Sequence, residues 1–169
     1  MDRGTLQLFI DHLVWVNHRL IDAAAQLSTD AFLAAGAGDG GRDLRATLVH
    51  ELDVEWSWRL ALQDRPAEEW GEDKELTAGM FPDVAALRAH WEADEAEMSS
   101  WLAELTDDEL RADVHPGLSS VARPLWQFVM HIVSHGYQQQ AEAAAILTRA
   151  GASPGDIGLL EFLGERERP

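Results

Sequence analysis

The chain has 169 residues, with 13 basic against 30 acidic for a formal charge of −17, and no cysteine. That length fits one domain able to bury roughly 70% of the surface its unfolded form exposes, without a covalent staple. The missing cysteines exclude disulfides, thiolate metal sites and a cysteine nucleophile, and the acidic excess argues against nucleic acid, whose binding rests on Lys and Arg contacts with phosphate.

The opening MDRGTLQLFIDHLVWV carries Asp2, Arg3 and Asp11 and lacks both the unbroken apolar stretch and the small-residue cleavage signal of a secretory leader. No apolar run approaches the ~20 residues of a membrane span, so the expected address is the cytoplasm. Leu6, Phe9, Ile10, Leu13, Val16, Leu20 and Ala24 recur at three- and four-residue spacing and predict one amphipathic helix from about Thr5 to Leu27, ending near Ser28-Thr29-Asp30. The glycine-rich run from Gly36 to Arg42 reads as a mobile connection.

Asp43 is the expected N-cap of a second helix that turns Leu44, Leu48, Leu52, Trp56 and Leu60 inward, contains His50, and ends before Pro66. From Arg65 to Phe81 an acidic, turn-rich stretch predicts a long surface loop carrying Trp70. Pro82 suits the first turn of a third helix with Val84, Leu87, Trp91, Met98 and Leu102 on its apolar face. Thr106 and Glu109 have capping-box spacing and predict a short helical turn. Residues Arg111 to Arg123 read as an irregular or hairpin-like link. A fourth long helix is expected from Pro124 to about Ala150, terminated by Gly151, and a last short one from about Asp156 to Leu163. The pattern predicts an all-α fold, an up-down-down-up four-helix bundle with a short extra C-terminal helix, formed as a single domain over residues 1–169.

Seven histidines, at 12, 18, 50, 90, 115, 131 and 135, are the residues with most chemistry to offer. A lone buried histidine is more often a hydrogen-bonded core residue than a ligand, and His12, His18, His90 and His115 keep that reading. His131 and His135 are one turn apart, which puts both rings on one helix face, about 5–6 Å apart at Cβ. His50, amid Leu48, Val49 and Leu52, is the natural third member of a metal triad across the bundle. Gln139 stands one further turn along the same face. The competing readings are an accidental pair of buried histidines and a polar glutamine stretch, Gln138 to Gln140, of good helix propensity. Asp53 is read as solvated, with orientation of His50 as its alternative. Trp58 and Trp70 are read as packing residues, with ligand or subunit contact as the alternative, and Tyr137 is placed at a pocket mouth.

Three passages carry a resemblance: WVNHRLIDAAAQLSTDAF, DLRATLVHELDVEWSWRLAL and RPLWQFVMHIVSHGYQQQAEAAAILTRAGASPGDIGLLEFL, with the long loop ahead of the third helix as a fourth sign. Their order and spacing resemble the DinB-like family of DNA-damage-inducible four-helix bundles, which includes the bacillithiol and mycothiol S-transferases. The resemblance implies a metal triad of one histidine on the second helix and a His-x-x-x-His pair on the fourth. By position these fall on His50, His135 and Gln139, so the third ligand is a glutamine, and the arginine usual after it is Gln140. It implies a divalent ion, zinc or nickel before manganese, held weakly or not at all because an amide oxygen is a poorer ligand than imidazole, with His131 as the substitute third ligand. It further implies a homodimer and metal-dependent transfer of a small-molecule thiol to an electrophile. The alternative is a non-catalytic dimeric bundle or small-molecule binder.

Overall fold

The computed structural model describes residues 1–36 and 41–168, so most of the glycine-rich connection lies outside the described residues. Four long helices form the bundle: α1 (Arg3–Ala24), α3 (Leu44–Leu62), α4 (Val84–Glu104) and α6 (Leu125–Arg149). Three short ones accompany them: α2 (Thr29–Ala34), α5 (Asp107–Arg111) and α7 (Leu159–Arg166). The only strands among the described residues, β1 (Asp113–Val114) and β2 (Arg123–Pro124), pair antiparallel and close the hairpin-like link before α6.

Local chemistry sets most boundaries. Asp2, Asp43 and Asp83 each accept a backbone N–H at the start of α1, α3 and α4, satisfying donors that have no partner inside the helix. Thr106 and Glu109 form the reciprocal capping box at α5. Two expectations shift. The first helix stops at Ala24, and Ser28 caps the separate α2, whose one buried residue is Phe32. Pro82 precedes the Asp83 cap instead of entering the helix. The stretch from 65 to 81 holds three 3-10 turns, and Trp70 is buried within it, its Nε1–H donating to the Arg65 carbonyl at 2.9 Å.

Contacts fix how the helices sit. Going up α1 as α6 is climbed, His12 meets Tyr137 and Asn17 meets Gln140. Along α3 and α6 the order reverses, His50 meeting His135 and Trp58 meeting Phe128. Glu55 meets Trp91 and Arg59 meets Asp94 between α3 and α4, while Arg3 meets Ala103 and Asp22 meets Arg88 between α1 and α4. Thus α1 and α6 run one way, α3 and α4 the other.

The apolar interior is split in two. One cluster holds Val16, Leu20, Leu48, Leu52, Leu87, Trp91 and Ile146, and the other holds Ile10, Leu13, Met98, Leu102, Val129 and Val133. Between them lies a buried polar layer containing Asn17, Glu51, Glu55, Asp94 and Gln140. Buried polar groups demand partners, and here they bond to each other: Gln140 Nε2 donates to Asn17 Oδ1 at 2.7 Å and to the Leu13 carbonyl at 2.9 Å. The C-terminal segment is strapped to α1, with Trp15 and Arg19 both donating to Glu165.

Candidate metal centre

His50 comes from the middle of α3 and His135 from the middle of α6, level with the polar layer. Their Nε2 atoms face each other at 3.3 Å. On the far side of the second ring, Nδ1 lies 3.0 Å from Glu51 Oε2. A carboxylate accepts, so Nδ1 carries the proton and Nε2 presents a lone pair toward His50. Burial lowers the pKa of both imidazoles, and the positive charge of Arg42 lowers them further. Both effects favour the neutral ring, the form in which histidine ligates.

Glu51 reaches His135 because α6 has no side chain in the way. A Cβ at Gly136 would stand 2.5 Å from Glu51 Oε1 and 2.3 Å from Leu13 Cδ1. The glycine is therefore where three helices meet closely enough for a carboxylate of α3 to touch a ring of α6.

The donor set passes a chemical test for a cation. Two imidazole nitrogens on a tetrahedral ion with bonds of ~2.0–2.1 Å sit about 3.3–3.4 Å apart, which matches the separation found. One turn beyond His135, Gln139 Oε1 is buried without a hydrogen-bond partner, an acceptor that a cation would satisfy. Glu51 behind His135 is the carboxylate–histidine support common in metal sites. Among the described residues no three of His, Asp or Glu are grouped so as to hold a metal ion; the side chain one turn beyond His135 is the amide of Gln139.

His131 lies elsewhere. It is exposed, its ring packs edge-on to Trp58 at 5.0 Å, and its centroid is 6.4 Å from that of His135, against 5.0 Å for His50. His12 is a satisfied core residue, its Nε2–H donating to the Ile157 carbonyl at 3.1 Å and its Nδ1 accepting from Tyr137, which ties that hydroxyl to the interior. Asp53 does not orient His50: it accepts from the Leu76 backbone N–H at 2.7 Å and anchors the long loop. Glu51 and Gly136 escaped the sequence reading, though both leave a trace. Glu51 sits three residues after Leu48 on the apolar stripe, and an isolated glycine inside a helix marks a close approach.

No helix among the described residues is long and apolar enough to cross a membrane. A comparison with curated proteins finds no match. Against family models, residues 1–167 match the DinB family, which covers nearly the whole chain. The protein belongs to the DinB family.

Proposed function

We propose that this DinB-family protein binds a divalent metal ion through His50 Nε2, His135 Nε2 and Gln139 Oε1, and that the centre serves transfer of a small-molecule thiol to an electrophile. The observation that carries the reading is the pair of facing Nε2 atoms at 3.3 Å, one of them backed by Glu51. When bound, the ion would lower the pKa of a coordinating thiol and favour the nucleophilic thiolate. The protein's own residues hold the donors: Glu51 fixes the tautomer of His135, and Gly136 admits Glu51. The thiol must come from solution, because the chain has no cysteine. Cytoplasmic location and pairing as a homodimer belong to the same reading.

A second reading follows from the amide at 139: a bundle that lost its third strong ligand and acts as a non-catalytic small-molecule binder. Metal analysis of protein purified without chelator separates the two. The metal reading expects stoichiometric zinc, nickel or manganese, or a rise in Tm on titration, worth about 2.7 kcal/mol at a hundredfold excess over Kd. His50→Ala and His135→Ala should each abolish binding, and Gln139→His should tighten it. No metal in the purified protein together with an unmoved Tm on titration refutes the centre. If metal binds, turnover of a generic electrophile with bacillithiol, mycothiol or glutathione tests the reaction.

A further inference from the structure

The histidine pair is built by α3 and α6; the groove between α1 and α4 is a separate place. It holds a cleft of about 230 Å³, with apolar walls from Ile10, Val14 and Trp15 and polar groups from Asp11, Glu95 and Ser99. No Lys or Arg lines it. Pockets for drug-sized ligands run from about 300 Å³ upward, so this one suits a smaller molecule.

Glu95 is the member of the lining with an unmet need. Its side chain is only 9% exposed. Oε2 accepts from His18 Nε2–H at 2.6 Å, whereas Oε1 is buried and has no hydrogen-bond partner. Asn17, the neighbouring amide, places Nδ2 on Glu55 at 2.9 Å instead. A buried carboxylate oxygen without a donor bears the full cost of its lost hydration, and an occupant carrying a donor offsets that cost.

The other charges around the cleft are already matched. Asp11 accepts from Gln7 through Oδ1 at 2.7 Å and from Arg166 through Oδ2 at 2.8 Å. Arg19 lies 4.6 Å from the centre of the Trp15 ring, but it is tied to Glu165 at 3.0 Å and to the Pro154 carbonyl at 3.2 Å. What is left open is one acceptor, on a carboxylate, beside an apolar wall. A hydroxyl would supply a donor, yet an ammonium supplies three and a positive charge that the carboxylate and the net charge of −17 both attract.

We propose that the α1–α4 cleft binds a primary ammonium carried on a short apolar chain, with Glu95 Oε1 accepting from the ammonium and Ile10, Val14 and Trp15 covering the chain. This site stands apart from the metal reading and needs no metal.

The test is an NMR titration of the full-length protein with butylammonium chloride at constant ionic strength, followed at the Trp15 Nε1–H, with butanol as the uncharged chain of the same length. Butylammonium should give saturating shifts and butanol should not. Glu95→Gln keeps the shape and an acceptor but removes the charge, so its Kd should rise about tenfold or more. Ser99 is exposed, so Ser99→Leu should fold as the wild type does while filling the cleft, and saturation should vanish. Butylammonium shifts that do not saturate, shifts equalled by butanol, or a wild-type Kd in either variant overturn the proposal; each variant decides the matter alone if the other does not fold. Binding should persist in His50→Ala, and its loss there would put the amine at the histidine pair and overturn the assignment to this cleft.

Discussion

Replacing Gly136 with alanine sets two known effects against each other. Inside α6, alanine is a better helix former than glycine by about 1 kcal/mol. The added Cβ, however, would lie 2.3 Å from Leu13 Cδ1 and 2.5 Å from Glu51 Oε1, where ordinary contact is ~3.5–4.0 Å. Both neighbours must retreat by about 1 Å or more, and neither has room, since Leu13 and Glu51 are 2% and 1% exposed. Overpacking of this kind costs about 1–3 kcal/mol. Displacing Glu51 also breaks its bond to His135, a further ~1.5–3 kcal/mol for a bond to a charged group. The net loss is roughly 1.5–5 kcal/mol, or about 10 °C in Tm near the middle of that range. Thermal unfolding followed by circular dichroism measures it, with Gly164→Ala as control. A Cβ at Gly164 in α7 meets nothing within 4 Å, so that variant should match or exceed the wild type. Metal affinity of Gly136→Ala should fall about 10–100-fold, as for other losses of ligand support. A Gly136→Ala protein as stable as the wild type would refute the close meeting of α1, α3 and α6 at this point.

Further expectations concern sites away from the histidines. Arg59 and Asp94 form a buried pair, with side chains 6% and 3% exposed; Asp94→Ala leaves an uncompensated cation and should cost about 3–5 kcal/mol, much of it recovered in the double variant Arg59→Met/Asp94→Leu by chemical denaturation. Asp64, just past the end of α3, has φ 55, a left-handed conformation that glycine adopts without strain. Asp64→Gly should therefore raise stability by about 0.5–1 kcal/mol, read as a higher denaturation midpoint. For pH, Glu55 has a folded pKa raised well above its ordinary 4.5. Its stabilising contribution is full below that value and is lost as pH rises toward the folded pKa. The stability of the wild type relative to Glu55→Gln should thus decline by up to ~1.4 kcal/mol per unit between about pH 5 and 7 in urea titrations. A flat difference would show that the folded and unfolded chains hold this proton alike.

The helical bundle and most of its boundaries were legible in the residues alone, because periodicity and capping are local. Leu6 to Ala24 repeat with the turn of a helix, and Asp43, Thr106 and Glu109 announce ends whose N–H groups need acceptors. The short α2 was not legible, for it offers one buried side chain and no period. Spacing also marked His50 and His135 as candidates, but their meeting joins residues 85 positions apart and depends on how each helix is rotated about its axis.

That rotation is a tertiary property. It turned His131 out to solvent beside Trp58, and it turned Glu51, Glu55, Asn17 and Gln140 inward to a common layer. A sequence records that these residues are polar. Only the packing of four helices decides which polar groups find partners in a dry interior, because each partner is supplied by a different helix and the cost of burial is offset only when all arrive together.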